Sequence, residues 1–281
     1  MTKRFAVIGD PIAHSRSPVM HEAAYRALGI DATYERVRVR PDELAAFIAG
    51  AEAEGYQGLN VTLPHKSAVI ALIHEVTPTA ARIGAVNTIT IRGGALYGDN
   101  TDARGLVRSL EDAGFGAEGA RVVVLGAGGA ARAAVVGLSE AGAAEILVAA
   151  RRPSAASKLA EALATDAPAP ITGHGFDDLE RVFAGADLLV QATSATLAGS
   201  DASSDVAIRF ADGLPWDALA PSATVTDLVY QPLETTVLRA ARARGHRAID
   251  GLGMLIHQGA LAFEGWLGVA APVAVMRAAL L

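Results

Sequence analysis

Arg121-Val122-Val123-Val124-Leu125-Gly126-Ala127-Gly128-Gly129-Ala130-Ala131 is the stretch that decides the fold class. Its valines and leucine form an uninterrupted apolar strand, the kind that a parallel sheet encloses between helices on both faces. The glycines end the strand at once, and an Ala-rich helical run follows. At such a junction Gly126 permits a tight turn, and Gly128 lets the backbone approach a pyrophosphate with no Cβ in the way. Ala131 allows close packing of helix on strand. The unpaired N–H groups at the helix start then face the anion. Strand, turn and helix together point to dinucleotide binding; the alternative is a turn that serves packing alone.

Outward from this motif, Ile146–Ala149, Asp187–Gln191 and Thr224–Leu228 supply further strands of one sheet, so the region is expected to be Rossmann-like. The second strand ends in Ala149-Ala150-Arg151-Arg152, and its nearest acid, Glu145, stands at its start. An NAD site calls for a carboxylate at that end, whereas two guanidiniums suit a ribose 2′-phosphate, so NADP is the expected cofactor. Alternatively both arginines are solvated residues that begin the next helix. Residues 198–205 read as a loop, Gly253–Leu267 as an apolar helix, and a short helix follows Pro272. Upstream, strands are expected at Arg4–Gly9, near Thr33–Val39 and at Gly58–Leu63, with helices from Pro18, after Pro41-Asp42 and from Pro64. Val86–Arg92 and Ala95–Tyr97 flank Gly93-Gly94 as a β-hairpin. The expected fold class is therefore α/β with two α/β domains: a mainly parallel-sheet domain at 1–103 and a Rossmann-like NADP-binding domain at 104–248. The C-terminal helices at 249–281 are expected to pack back on the first domain.

The 281 residues are 51% hydrophobic and 19% charged with a formal net charge of −6, enough to bury a core and to exclude disorder. No basic stretch could neutralise a run of phosphates, which argues against nucleic acid as a partner. The absence of cysteine excludes disulfides, thiolate metal sites and a Cys nucleophile, and fits a reducing cytoplasm. The first apolar run stops at Gly9-Asp10-Pro11, too short for a signal peptide, and no apolar segment is long enough to cross a bilayer. A soluble cytoplasmic protein, with no membrane contact, is expected. None of the seven histidines forms a ligand pair, so no metal is expected.

Four further segments accompany the glycine turn. They are Gly9-Asp10-Pro11-Ile12-Ala13-His14-Ser15-Arg16-Ser17-Pro18, Gly58-Leu59-Asn60-Val61-Thr62-Leu63-Pro64-His65-Lys66, Gly98-Asp99-Asn100-Thr101-Asp102-Ala103-Arg104-Gly105 and Asp250-Gly251-Leu252-Gly253-Met254-Leu255-Ile256-His257-Gln258. In this order, through almost the whole chain, they resemble the shikimate dehydrogenase family. The resemblance implies an NADP-dependent oxidoreductase that interconverts 3-dehydroshikimate and shikimate in aromatic amino acid (chorismate) biosynthesis, as a monomer or homodimer. Rival readings are a quinate/shikimate or aminoshikimate dehydrogenase of the same family, and a catalytically silent member that senses a ligand. Three departures stand out: His21-Glu22 where the family often has His-Asn, Ala150 where it usually has Asn, and Gln191-Ala192-Thr193-Ser194 in place of an Asn-containing loop.

Read alone, Ser17-Pro18 is a helix start with Ser as N-cap; the resemblance adds that the Ser15 and Ser17 hydroxyls hold the ring carboxylate. Lys66 falls in the first turn of the helix expected from Pro64, where the dipole disfavours an ammonium and stability offers little reason for it. A solvated surface Lys is the alternative. Asp102 could, with Thr101, simply cap the helix through Arg104–Leu110. The resemblance pairs it with Lys66 instead, Lys66 as acid/base and Asp102 orienting it. It further implies ring contacts from Asn60, Thr62, Asn87, Tyr230 and Gln258, although Asn87 and Gln258 could equally be amides satisfied by the backbone. For the cofactor it implies Gly126, Ala127, Gly128, Gly129, Ala130, Arg151, Arg152, Thr193, Leu228, Gly251 and Met254. His14 and His65 are assigned packing or hydrogen-bonding roles.

Overall fold

The computed structural model describes residues 2–165, 167–197 and 204–281. It contains two compact units, Met1–Gly105 with Leu255–Leu281, and Leu106–Met254.

The first unit runs β1 (Lys3–Gly9), α1 (Ser17–Ala27), β2 (Ala32–Arg38), α2 (Leu44–Gly50), β3 (Tyr56–Val61), β4 (Glu75–Val76), α3 (Pro78–Ile83), β5 (Thr88–Arg92) and β6 (Ala95–Asp99). Its sheet has the order β2-β1-β3-β5-β6-β4. The β2-β1-β3 half is parallel and β5 runs antiparallel to β3 and β6, so the sheet is mixed. The expected hairpin closes at Gly93 and Gly94, whose φ angles of 57° and 80° belong to the left-handed region that glycine tolerates. Because β1 is central, both of its faces are buried. Ala6 and Ile8 pack with Leu59, Ile89, Ile48 and Val69 on one side. On the other, Phe5 stacks on Trp266 at 4.9 Å, within an aromatic layer that includes Tyr25 and Phe263.

In the second unit β7 (Arg121–Leu125), α5 (Gly129–Glu140), β8 (Glu145–Ala150), α6 (Pro153–Ala164), β9 (Ile171–Gly175), α7 (Leu179–Phe183), β10 (Leu188–Gln191), α8 (Ser204–Asp212), β11 (Thr224–Asp227), α9 (Thr236–Ala243) and β12 (Arg247–Ile249) follow α4 (Thr101–Asp112). The order β12-β11-β10-β7-β8-β9 is parallel at every pairing. The chain starts at the middle of this sheet and reverses direction between β7 and β10, which is where open α/β sheets form their ligand crevice. Val123, Leu125, Leu189 and Val225 pack against Phe183, Trp216 and Leu238, while Val122 and Val124 are equally buried. Two helices complete the chain, α10 (Leu252–Leu267) and α11 (Val273–Ala278).

The structure corrects three local expectations. No helix starts at Pro64: residues 63–67 form turns, and a short 3-10 segment covers Ala68–Leu72. The Lys66 carbonyl accepts from the Val86 N–H at 2.8 Å, so it is engaged across the sheet and unavailable to a helix. Helix α1 already includes Ser17; Arg16 takes the N-cap position and no side chain caps it. Of the loop expected at 198–205, residues 198–203 lie outside the described residues, while α8 begins at Ser204. Strands β4, β9 and β12 escaped the sequence reading because they are short and carry little apolar alternation.

Helix α6 lies hard against β9 at Gly173, where a Cβ would come within 2.4 Å of the Ser157 nitrogen. Backbone cannot yield as a side chain does, so Gly173→Ala should cost about 1–3 kcal/mol. Urea unfolding followed by circular dichroism measures this, and an unchanged midpoint would contradict the packing.

Candidate functional site

In the first unit the loops after β1 and β3 are locked together. The Asp10 N–H donates to Leu63 O at 3.0 Å, and a Cβ on Gly9 would sit 2.6 Å from Thr62 Cγ2 and 2.9 Å from Leu63 O. Glycine is required there by close approach. Ser15 thus occupies one loop, with Ser17 opening α1 at its end, and Thr62 and Lys66 occupy the loop packed against it. Within the first, the Ser17 N–H faces Ser15 Oγ at 3.4 Å.

Lys66 Nζ lies 2.6 Å from Asp102 Oδ2, with side chains 25% and 11% exposed, so the pair is reachable but shielded. With no helix starting at Pro64, Lys66 does not sit in the first turn of a helix of its own. Asp102 belongs to the first turn of α4, yet its carboxylate does not cap that helix. Asn100 does so, its Oδ1 accepting the Asp102 N–H at 3.0 Å. Asp102 Oδ1 instead accepts from Asn87 Nδ2 at 2.8 Å. Asn87 is buried and also binds Thr101, whose N–H donates to Asn87 Oδ1 at 2.8 Å. Asn60 joins the same cluster, giving its Nδ2 to Thr88 Oγ1 at 3.1 Å and accepting from the Tyr34 hydroxyl at 2.7 Å. Burial pushes the Tyr34 phenol well above its ordinary range, so it stays a donor, and Ser17 hydrogen-bonds it. Under Tyr34, His21 stacks at 4.3 Å; burial lowers its pKa to about 3 and holds it neutral.

Gln258, on α10, donates to Leu255 O at 2.7 Å. Its backbone presses on α4 so closely that a Cβ on Gly105 would meet Gln258 N at 2.8 Å. The structure therefore brings Asn60, Lys66, Asn87 and Asp102 into one hydrogen-bonded cluster of the first unit, while Tyr230 belongs to the second, just past β11. His65 is buried with Nε2 2.7 Å from Val39 O, whereas His14 is exposed. The sequence reading missed Tyr34 and Thr88. Their one signal was a polar residue on an otherwise inward-facing strand position.

The cofactor candidates all fall on the second unit: most follow the C-terminal ends of the adjacent strands β11, β10, β7 and β8, and Gly251 and Met254 follow β12. Gly126 adopts a φ of 118° and approaches Ala192 O so closely that a Cβ would lie 3.0 Å away. Gly128 is the N-cap of α5, with no side-chain cap and no acid in the first turn. A Cβ on Gly128 or Gly129 would meet nothing within 4 Å, and Gly128, Gly129 and Ala130 are exposed. Free N–H groups, open space and the positive helix end together fit a pyrophosphate. Arg151 and Arg152 are exposed at the end of β8, and Glu145, the acid of that strand, is paired with Arg121 at the other end. Thr193 is half-buried behind the turn, and Gly251 is pressed on Leu228, a Cβ there falling 2.6 Å from Leu228 O. Met254 is buried in the first turn of α10.

These features define a two-unit, dinucleotide-binding α/β protein. Residues 7–89 match the shikimate dehydrogenase substrate binding domain, 109–203 match shikimate / quinate 5-dehydrogenase, and 251–281 match the shikimate 5'-dehydrogenase C-terminal domain. Shikimate dehydrogenase (NADP(+)) of Moorella thermoacetica is 46% identical over 273 residues, covering 96% of this chain and 90% of the relative. Shikimate 5-dehydrogenase from Thermus thermophilus, solved with NADP(H) and shikimate, superposes with a TM-score of 0.86 at 38% identity, covering 99% of this chain and 98% of that one. Quinate dehydrogenase from Corynebacterium glutamicum, solved with NAD, gives 0.87 at 33% identity over 99% and 98%. The chain belongs to the shikimate dehydrogenase family.

Behind the cofactor candidates lies Asp227, buried at the end of β11. Thr235 and Thr196 donate to its Oδ2 at 2.7 and 2.9 Å, and the Val229 N–H donates to its Oδ1 at 3.0 Å. Burial outweighs these bonds and raises its pKa to about 6 from an ordinary 3.8. The folded form therefore keeps a proton that the unfolded chain has lost, so this contribution to stability is full below about pH 4 and disappears as pH rises through about 6. Asp227→Asn should remove that fall and leave the variant about 1–3 kcal/mol more stable than wild type at pH 7. Urea midpoints between pH 4 and 8 measure it; parallel pH slopes for both proteins would contradict the assignment.

Proposed function

We propose that the protein catalyses the NADP-dependent, reversible reduction of 3-dehydroshikimate to shikimate, a step of aromatic amino acid biosynthesis. The observation that carries this reading is the Lys66–Asp102 pair at 2.6 Å in a unit that matches the family's substrate-binding domain. The nicotinamide cofactor, when bound, supplies the hydride in reduction and accepts it in oxidation. As negative charge grows on the ketone oxygen, Lys66 Nζ delivers a proton to it; in the other direction Lys66 takes the hydroxyl proton. Asp102 Oδ2 holds one ammonium hydrogen and so aims the others, while binding a neighbouring ring hydroxyl. Ser15 and Ser17 bind the ring carboxylate near the start of α1, where hydroxyl donors and the helix end both favour an anion. Thr62, Tyr230 and Gln258 complete the polar contacts to the ring, while Asn60 and Asn87, whose amide hydrogens are taken within the cluster, support the pair from behind.

On the second unit, Gly126, Ala127, Gly128, Gly129 and Ala130 would hold the pyrophosphate and Arg151 with Arg152 the 2′-phosphate. Thr193, Leu228, Gly251 and Met254 would line the remainder of the cofactor. Two unopposed guanidiniums favour NADP over NAD, because each offers charge and paired donors together.

Nicotinamide absorbance assays with shikimate and quinate, each with NADP and NAD, test the reading. Shikimate with NADP should be turned over fastest, and faster turnover of quinate with NAD would replace it with a quinate dehydrogenase. Lys66→Ala should lower kcat by roughly two to four orders of magnitude while NADP binding, titrated by fluorescence, stays normal. A near-wild-type kcat in that variant would refute the acid–base role. Arg151→Ala should raise the KM for NADP far more than it alters kcat at saturation, as loss of a contact remote from the chemistry does. Unchanged KM would mean that the arginine is only solvated.

A further inference from the structure

Asn60, Asn87 and Thr88 are buried together beneath the Lys66–Asp102 pair, and each could in principle orient its protons in more than one way. One backbone group removes that freedom. The Thr101 N–H can only donate, and it lies 2.8 Å from Asn87 Oδ1. The Asn87 NH2 must then face Asp102 Oδ1 at 2.8 Å and Thr101 Oγ1 at 3.0 Å. Asn60 Nδ2 donates to Asn87 O at 3.2 Å and to Thr88 Oγ1 at 3.1 Å, which leaves Asn60 Oδ1 for the Tyr34 hydroxyl at 2.7 Å. A Thr88 hydroxyl that accepts from Asn60 has its own proton for Asn87 Oδ1, 2.9 Å away; Thr101 Oγ1 stands beside it at 3.2 Å. The donors therefore all run one way, Tyr34 to Asn60 to Thr88 to Asn87 to Asp102, and Lys66 meets the far carboxylate oxygen at 2.6 Å.

We propose that Thr88 is a positioning residue for the acid–base step: its hydroxyl shares Asn87 Oδ1 with the Thr101 N–H, fixes the amide that binds Asp102, and thereby holds Asp102 for Lys66. This rests on the acid–base reading of Lys66 and Asp102. Thr88 is itself only 5% exposed, so it acts through Asn87 rather than on a ligand. Without its hydroxyl, Asn60 Nδ2 keeps only Asn87 O and Asn87 Oδ1 keeps only Thr101, and water cannot make up the lost bonds in so buried a place. The Thr101 N–H still forbids a flipped amide, but an Asn87 side chain held on one side alone can tilt and carry its NH2 away from Asp102 Oδ1. Asp102 then shifts, and the ammonium with it.

The test compares kcat, shikimate KM and NADP affinity in Thr88→Val, which keeps the shape and removes the hydroxyl, with Thr88→Ser, which keeps the hydroxyl. Lys66→Ala serves as reference. Thr88→Val should lower kcat roughly ten- to a hundredfold, the scale of an ångström-sized misplacement, with a smaller change in KM and normal NADP binding. Thr88→Ser should restore most of kcat. If Thr88→Val keeps wild-type kcat while Lys66→Ala collapses, the positioning role is overturned and the acid–base reading stands. If Lys66→Ala also keeps wild-type kcat, the acid–base reading itself fails, and this inference with it. A Ser variant as impaired as Val, or a loss confined to KM, would reduce Thr88 to a packing residue. Should Thr88→Val not fold, Tyr34→Phe breaks the chain at its head: a lowered kcat with normal NADP binding supports the inference, and an unchanged kcat overturns it.

Discussion

Asn87 is the group on which the first unit's arrangement depends. Its backbone N–H donates to Asp99 O at 3.0 Å and its carbonyl accepts from Val61 N at 2.8 Å, so it ties β6 to β3. Its side chain ties both to the start of α4 through Thr101 and Asp102. An amide buried this deeply must have every donor and acceptor matched, because each orphan would cost as much as a lost hydrogen bond. Satisfying Asn87 therefore fixes where the first turn of α4 stands relative to the sheet. Since Asp102 is in that turn and the Val86 N–H anchors the Lys66 carbonyl, the same constraint sets the Lys–Asp distance.

The second unit solves a different problem with the same economy of means. An all-parallel sheet that reverses direction between β7 and β10 leaves the C-terminal ends of both strands facing open space. Gly126 turns the chain there with a φ of 118°, directly against Ala192 O. The loop after β10 is held from below: the Thr193 N–H donates to Gln191 Oε1 at 2.6 Å, and Gln191 Nε2 reaches Thr196 Oγ1 at 3.0 Å. Thr196 in turn donates to Asp227, so one buried carboxylate sets the loops that follow both β10 and β11.

Much of this was legible in the residues. The valine run of β7 and the glycines after it announced the central strand of a parallel sheet and the turn that leaves it, because a buried parallel strand and a Gly-rich turn are local features. The hairpin at Gly93-Gly94 was equally plain. At Lys66 local reading failed. Pro64 looks like a helix start, but the Lys66 carbonyl is taken by Val86 from twenty residues away, and no periodicity reports a hydrogen bond of that kind. Asp102 was ambiguous for a related reason: in sequence it could, with Thr101, simply cap α4, a role the structure gives to Asn100. Only the placement of Asn87 releases its carboxylate for Lys66.

By itself the sequence determined the class of each half: which runs are strands buried on both faces, where the chain turns on glycine, and which charges stand at the strand ends. Those properties depend on side-chain volume, polarity and backbone freedom within a few residues. What only the tertiary structure decided is the direction of hydrogen bonding in the cluster around Asn87 and the part played in it by Tyr34 and Thr88. Tyr34 comes from β2, Asn60 from β3, Thr88 from β5 and Asp102 from α4, and nothing in any one of these segments specifies the others. Their protons acquire a single order only when folding removes water and leaves the Thr101 N–H with one acceptor, Asn87 Oδ1.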